Sequence, residues 1–228
     1  MCNLYSMTSD QDAIRKLFRV PHPFSGNLPA SPAIFPGQDA PIILRDGEGT
    51  KQIVMSNWGF RLSQPGGAIK KVTNARDDKI ARSHFWRESF LQRRCLVPAT
   101  SFAEPKGRNP AIWHWFALSA GDTPRPLFAF AGIWQYWRGQ IDAQPVQLRC
   151  FAIVTTRPNA LVAPIHPHRM PVIIAPDNYN LWLHGGAEDA AGLTRPYPAQ
   201  AMKIVRKGGK LDDPAIASDP APAQLRLL

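Results

Sequence analysis

Prolines divide this chain into short segments, and that limits what it can fold into. There are 23 prolines in 228 residues, scattered along the whole length. Proline removes a backbone donor and fixes φ, so it ends helices and is confined to the ends and edges of strands. We therefore expect many short elements joined by stiff turns.

Short runs of β-branched and aromatic residues between these turns predict strands. The predicted strands are Pro41–Arg45, Gln52–Ser56, Arg94–Val97, Ile112–Leu118, Leu127–Trp134, Gln147–Thr155, Val172–Ala175 and Ala201–Arg206. The predicted helices are Ser9–Phe18 with Ser9 as its cap, Asp78 to about Leu91, and Asp177–His184. Residues 21–40, which hold five prolines, are expected to form a loop.

These elements predict an α+β fold, a strand-dominated single domain with a few short helices. Hydrophobic residues make up 44% of the chain, enough for a sizeable core, and no linker divides residues 1–228. From about residue 210 the chain is rich in Asp, Pro and Ala, and we expect residues 210–228 to form a loose tail.

The charge balance favours a polyanionic partner. The net charge is 27 − 17 = +10, and the sequence pI is near 10.0. Lysine and arginine release condensed counterions when they meet phosphates, so nucleic acid is the first candidate. A general contribution to solubility is the alternative.

The three cysteines, Cys2, Cys95 and Cys150, form no disulfide framework and show no metal-ligand spacing. The pair His166 and His168 has no cysteine or carboxylate close by in sequence, so neither a metal site nor a cofactor is predicted. The N-terminus lacks the pattern of a signal peptide, and no window offers the roughly 18 apolar residues of a membrane span. We expect a cytoplasmic protein, active as a monomer and without a membrane partner.

Cys2 has a chemistry that internal cysteines lack. Removal of Met1, which a small second side chain permits, leaves an α-amine beside the thiol. The amine can condense with an aldehyde, and the thiolate can then close a five-membered thiazolidine. Reference pKa values of about 7.7–8.0 for the amine and about 8.5 for the thiol suit this task. The alternative is that Cys2 is merely the second residue of a start sequence.

A basic stretch with candidate DNA contacts runs from Lys70 to Arg94. It holds eight basic and three acidic residues, and this local excess of positive charge is half of the net charge of the chain. Lys70 and Lys71 open it. Asn74 can hold a polar intermediate through its amide, and Arg76 can grip a phosphate with a fork of donors.

Aromatic residues interleave with this stretch, as in proteins that bind single strands. They are Trp58, Phe60, Phe85 and Trp86. For Phe85 and Trp86 we expect burial in the core instead.

Two further segments supply acid–base groups. Glu104 follows a buried-looking strand and is a candidate proton shuttle, with a structural carboxylate as the alternative. His166, His168 and Arg169 precede an apolar run and are candidates for phosphate contact or proton transfer.

Together these segments resemble the SOS response-associated peptidase family, or SRAP, which includes abasic-site-processing proteins. The matching motifs occur in family order and cover most of the chain. They are Met1-Cys2, Trp58-Gly59, Asn74-Ala75-Arg76, Arg94-Cys95-Leu96-Val97-Pro98-Ala99, Phe102-x-Glu104, Ile165-His166 and Arg169-Met170-Pro171.

The resemblance implies a role for each catalytic candidate. Cys2 would crosslink to the abasic sugar, and Asn74 would orient the amine and the opened sugar. Glu104 would transfer protons. His166, or His168 on the other alignment, would contact the lesion and help to reverse the crosslink.

The resemblance also implies a substrate and a biological setting. Arg76 and Trp58 would line a DNA channel, with Pro36 in a loop beside it. The partner would be single-stranded DNA containing abasic sites, together with the replication machinery, in DNA repair within the SOS response. The activities implied are covalent crosslinking, a lyase-type reaction, and a protease (hydrolase) activity that removes Met1.

Departures from the family pattern concern the DNA contacts. Leu4 stands where many members carry arginine, and a second tryptophan after Trp58 is replaced by Phe60-Arg61-Leu62. Two other functions stay open: a cysteine protease that acts on other proteins through Cys2, His166 and Glu104, and a non-catalytic module that binds single-stranded DNA.

Overall fold

The structure is a computed structural model that describes residues 2–21, 26–121, 123–141 and 144–213. Strands account for 45% of the chain and helices for 18%, which confirms the strand-dominated α+β prediction. Among the described residues, no helix combines the length and the apolar character that crossing a bilayer requires.

The strands in the described ranges are short, apart from one long hairpin. They are β1 (Tyr5–Met7), β2 (Ser31–Ile34), β3 (Asp39–Arg45), β4 (Lys51–Trp58), β5 (Phe60–Ser63), β6 (Ile69–Val72), β7 (Asn74–Arg76), β8 (Arg94–Ala99), β9 (Ser101–Lys106), β10 (Ile112–Leu118), β11 (Phe128–Ile141), β12 (Gln144–Thr156), β13 (Met170–Pro171), β14 (Ile173–Ile174) and β15 (Met202–Gly208). The helices are α1 (Gln11–Phe18), α2 (Asp77–Ile80), α3 (Arg87–Gln92), α4 (Tyr179–His184) and α5 (Ala187–Gly192).

One sheet closes into a barrel. Strands β12, β4, β3, β8 and β11 pair in that order, and β11 pairs back with β12. Strands β7, β13 and β14 extend this sheet. Buried rings fill the interior: Tyr5 meets Trp58 and Phe130 edge-on at 5.1 and 5.7 Å, and Trp58 stacks on Phe151 at 6.2 Å.

The second sheet is antiparallel and has the order β15-β10-β9-β1-β2. Strand β8 of the barrel passes directly into β9 of this sheet at Thr100, whose hydroxyl lies 3.1 Å from that of Ser6. A small core of Leu4, Ala103 and Trp115 lies within it. The N-terminal segment therefore enters the fold beside the junction of the two sheets.

The C-terminal residues of the described chain form a strap across the second sheet. Trp115 Nε1 donates to the Gly209 carbonyl at 3.1 Å, and the Asp212 N–H donates to the Pro32 carbonyl at 3.0 Å. The buried Asp212 carboxylate accepts from Arg125 at 2.6 Å and from Ser101 at 2.5 Å. The expected loose tail does not describe Asp212, because a buried ion pair holds it in place. Residues 214–228 lie outside the described ranges.

Every predicted strand exists, and most extend by a few residues. The largest extension is in the β11–β12 hairpin, which is 14 and 13 residues long. The predicted strand Val172–Ala175 shortens to β14 (Ile173–Ile174), which pairs with β11; a separate short strand, β13, precedes it and pairs with β12.

Three local predictions are wrong. The loop 21–40 contains β2, which tolerates proline because it is an edge strand. Asp10, not Ser9, caps α1, accepting from the Ala13 N–H at 2.7 Å. The helix predicted from Asp78 is broken between α2 and α3, where the Ser83 hydroxyl binds the backbone locally.

Candidate active site

Cys2 is fixed at the entry to β1 and is fully buried. Its carbonyl accepts a hydrogen bond from Asn74 Nδ2 at 2.9 Å. Its thiol points to the Leu4 carbonyl, 3.9 Å from Sγ. Strand β1, which begins three residues after Cys2, lies between β2 and β9.

Asn74 comes from the other sheet. It opens β7, which pairs in parallel with β12 through the Asn74–Ile153 register. The side chain is 5% exposed, and Nδ2 also lies 2.9 Å from Thr73 Oγ1. Its carbonyl oxygen Oδ1 is buried and has no hydrogen-bond partner among the described residues. Asn74 therefore presents an unused acceptor beside Cys2.

Glu104 is a buried carboxyl group on β9. It is 1% exposed, and burial raises its pKa from 4.5 to about 7. Oε1 has no hydrogen-bond partner within the described ranges, while Oε2 lies 3.9 Å from His166 Nε2. At neutral pH this group can therefore act both as an acid and as a base.

His166 is oriented by its own turn. Its Nδ1 lies 2.7 Å from the Arg169 carbonyl, so we assign the Nδ1–H as the donor, which leaves Nε2 facing Glu104. Burial lowers the pKa of His166. His168 is exposed, and its ring centre is 5.9 Å from that of His166. Of the two histidines, His166 is the one beside Glu104.

The thiol of Cys2 is less acidic than the reference value implies. Burial raises its pKa, and the nearby Glu104 carboxylate raises it further. The expectation of a partly ionised thiol is therefore wrong for this buried cysteine. The thiol is protonated at neutral pH and needs a base before it can attack.

Two arginines of the site are already paired with acids. Arg76 makes two hydrogen bonds to Asp78, at 2.9 and 2.6 Å. Arg169 donates to the Asp77 carboxylate and to the Thr155 carbonyl. Sequence reasoning placed both arginines but missed the aspartates, although Asp77 and Asp78 directly follow Arg76. Arg76 is exposed, so its outer donors still face solvent.

Trp58 does not line a channel in this structure. It is fully buried, its Nε1 donates to the Thr73 carbonyl at 3.1 Å, and its ring packs inside the barrel. Trp58 is the last residue of β4, one of the barrel strands, and its side chain points into the barrel. The expected burial is confirmed for Trp86, whereas Phe85 is only partly buried; both rings pack against Phe60 at the core.

Lys70 and Lys71 lie exposed on β6, and the side chain of Lys71 lies beside the Pro36 loop. Gly37 follows Pro36 with φ +88°, and a Cβ there would lie 2.5 Å from Lys71 Nζ. The lysine ammonium therefore sits directly over this loop. The hairpin β5–β6 and the Pro36 loop form one basic surface.

Leu4 is buried with Ala103 and Trp115 and has no exposed surface. The position where many family members carry arginine is therefore a core position in this chain. Within the described ranges, no three His, Cys, Asp or Glu side chains are grouped closely enough to share a metal ion.

Comparisons with known proteins identify the family to which this chain belongs. The family model of the SOS response associated peptidase (SRAP) matches residues 1–209. The abasic site processing proteins YoqW and YoaM of Bacillus subtilis (strain 168) are each 28% identical over 222 residues; these alignments cover 94% of this chain and 95% and 94% of the relatives. A crystal structure of a Bacteroides thetaiotaomicron protein superposes with a TM-score of 0.72 at 25% identity, covering 89% of this chain and 90% of that one. Because the family model spans nearly the whole sequence, this chain belongs to the SOS response associated peptidase family.

Proposed function

We propose that this protein captures abasic sites in single-stranded DNA by a covalent bond to Cys2 and so shields them during repair. The observation that carries the proposal is a pair of buried acceptors, Asn74 Oδ1 and Glu104 Oε1, without partners among the described residues. An α-amine on Cys2, freed by removal of Met1, supplies the donors that such acceptors require. The names of YoqW and YoaM support the same substrate.

The first step joins the amine to the sugar aldehyde. The neutral amine of Cys2 adds to the aldehyde carbon and gives a carbinolamine. Glu104, half protonated near pH 7, gives a proton to the hydroxyl group, and water leaves. The product is an iminium ion, and Glu104 is left as a carboxylate.

The second step closes the ring. The thiol of Cys2 gives its proton to the Glu104 carboxylate, and its sulfur adds to the iminium carbon. A thiazolidine forms, one water is released overall, and Glu104 recovers its proton. A buried thiol with a raised pKa can react in this way because the first step leaves Glu104 as a carboxylate, and that carboxylate takes the thiol proton.

His166 and the basic residues complete the site. His166 Nε2, next to Glu104, contacts the sugar or its phosphate. Once Nε2 has taken up a proton, it gives that proton to the crosslink and so reverses it. Lys70, Lys71 and Arg76 contact the phosphates, which explains part of the +10 charge. Met1 is removed by the site itself or by a methionine aminopeptidase.

The decisive experiment uses uracil-containing single-stranded DNA treated with a glycosylase. The protein should produce a shifted band on a denaturing gel, and intact mass should show loss of Met1. Cys2→Ala should abolish the stable band while borohydride still traps a Schiff base, since the amine remains. Cys150→Ala, which removes a different buried thiol, should keep the band.

Two outcomes would overturn the proposal. One is an adduct of equal yield on an abasic site that was first reduced to an alcohol, because an alcohol forms no iminium. The other is an adduct formed by protein that retains Met1 quantitatively. Loss of peptide cleavage in Cys2→Ala, with no DNA adduct in the parent, would identify a cysteine protease instead.

A further inference from the structure

A basic and aromatic surface lies on the barrel outside the candidate active site. A cavity of about 520 Å³ opens there, and its lining includes Arg45, Arg94, Trp134, Tyr136 and Arg149. We refer to these five residues as the arginine–aromatic surface. The function proposed above uses none of them.

The length of strand β3 gives the distance between this surface and the Pro36 loop at the candidate active site. Its first residue, Asp39, follows the loop of Pro36 and Gly37, over which Lys71 lies. Its last residue is Arg45, and six steps of about 3.3 Å separate the two ends by about 20 Å. A domain that binds single strands covers roughly 4–16 nucleotides, so one strand can reach both places.

Rings and cations are stacked on this surface. The Arg149 guanidinium lies over Trp134 at 5.6 Å and over Tyr136 at 5.1 Å, and it donates to the Tyr136 hydroxyl at 2.6 Å. Tyr136 is 48% exposed. One ring therefore stays accessible to a base while the guanidinium beside it is held in place.

No carboxylate of the described residues forms an ion pair with Arg45, Arg94 or Arg149. Arg94 is 6% exposed and donates to the carbonyls of Phe90, Trp182 and Gly185, at the ends of α3 and α4. Arg45 has no carboxylate within ion-pair distance among the described residues.

Asp46 is the acid at the rim of the cavity. Its carboxylate accepts from the neutral side chain of Gln52 at 2.7 Å and from the Thr50 N–H at 2.8 Å. The surface keeps a positive balance, with three arginines lining the cavity against this one acid.

We infer that the arginine–aromatic surface binds a second segment of the same DNA strand, away from the lesion. Arg45 and Arg149 would hold phosphates, and the exposed ring of Tyr136 would stack on a base. The inference rests on the proposed function for the identity of the strand. This surface would add sequence-independent binding that keeps the protein on long single strands.

Affinity for strands of two lengths tests the inference. The ligands are a lesion-free strand longer than roughly 16 nucleotides and one of about four. Arg45→Glu and Tyr136→Ala should each weaken binding to the long strand about tenfold. Arg45→Glu should also lower the slope of log affinity against log salt by about 0.7 for each phosphate that is no longer bound. Binding of the short strand should not change.

The matched control is Arg138→Glu, the same charge reversal on an exposed residue of β11 outside the cavity lining. The inference is overturned if both surface variants bind the long strand as Arg138→Glu does. Thermal unfolding checks each variant, and Tyr136→Ala decides alone if Arg45→Glu does not fold. Crosslinking of the short strand with an abasic site reports on Cys2 separately. If the parent protein does not crosslink the short abasic strand, the proposed function is refuted, and the affinity for the long strand still tests the inference.

Discussion

Arg169 and Asp77 form an ion pair that ties the turn carrying His166 to the start of α2. Asp77 is the third residue after Asn74, and Arg169 is the third after His166. The pair therefore sets the spacing between the two polar side chains that face Cys2 and Glu104. Arg169 has a structural task in addition to any contact with DNA.

Asp77→Ala should lower the free energy of unfolding by about 1–3 kcal/mol, because it leaves a largely buried guanidinium without its carboxylate. Urea denaturation measures the change. Asp78→Ala is the control, because its short contact is to the exposed Arg76 and Arg169 Nη1 lies 4.0 Å away; such a pair contributes about 1 kcal/mol or less. Equal losses in the two variants would contradict the role given to Asp77.

Glu104→Gln should change how stability depends on pH. The pKa of Glu104 in the folded protein, about 7, is above its ordinary value of 4.5. The contribution of protonated Glu104 to the free energy of unfolding is therefore fully present below pH 4.5 and is lost as pH rises through 7. At pH well above 7 (about 8) the variant should be more stable than the parent by up to about 3 kcal/mol, and the difference should shrink towards pH 4.5. Chemical denaturation across this range measures it, and a constant difference would refute the assignment.

Glu104→Gln also tests the proton relay. The amide keeps the shape but cannot give or take the proton, so crosslinking should slow by about 100- to 10,000-fold. Single-turnover gels on the abasic strand give the rate.

Asn74→Leu removes the donor that holds the Cys2 carbonyl. A displaced nucleophile reacts poorly, so the crosslinking rate should fall about 100-fold. Affinity for a lesion-free strand should stay the same, which separates positioning from binding. Asn3→Ala is the control, because Asn3 is exposed and lies farther from Asn74, at 3.4 Å.

His166→Ala should slow reversal of the crosslink more than it lowers the final yield. A chase with unlabelled abasic strand measures release. Because burial lowers the pKa of His166, the imidazole is neutral at neutral pH, and reversal should speed up as pH falls. His168→Ala should behave like the parent. The opposite ranking would move the role to His168.

The double variant Lys70→Ala, Lys71→Ala should weaken noncovalent binding and flatten its salt dependence. The slope should fall by about 0.7 for each phosphate that these lysines no longer neutralise. The control is Lys203→Ala, Lys207→Ala on β15, with the same loss of charge. Duplex DNA should crosslink more slowly than single strands in every variant, because a duplex resists the bend that exposes the sugar.

The sequence predicts β3, β4, β8, β10, β11, β12, β14 and β15, because proline and glycine turns separate their apolar runs. It does not predict β1, β2, β5, β6, β7, β9 and β13, which are two to six residues long. It also names the four residues that the structure brings together, Cys2, Asn74, Glu104 and His166. Their contacts cross between sheets, so spacing alone does not reveal them; the order of the family motifs does.

Burial and pairing are harder to predict. An aromatic residue beside cations fits a DNA channel and a core equally, and only the closed barrel decides that Trp58 is inside. The partner of Arg169 lies 92 residues away in sequence. Asp212 is held by Arg125, 87 residues away in sequence. The composition of the chain end does not indicate this pairing.

The pairing of β1 with β9 has a consequence for timing during synthesis. Tyr5 pairs with Phe102, so a growing chain leaves its first strand without this neighbour until almost 100 further residues have been added. At about 5–20 residues per second this takes about 5–20 s. During that interval Cys2 is open to processing enzymes, and once β9 is in place the same residue is enclosed. Burial of Cys2 in the finished protein is therefore compatible with the removal of Met1 that the proposed function requires.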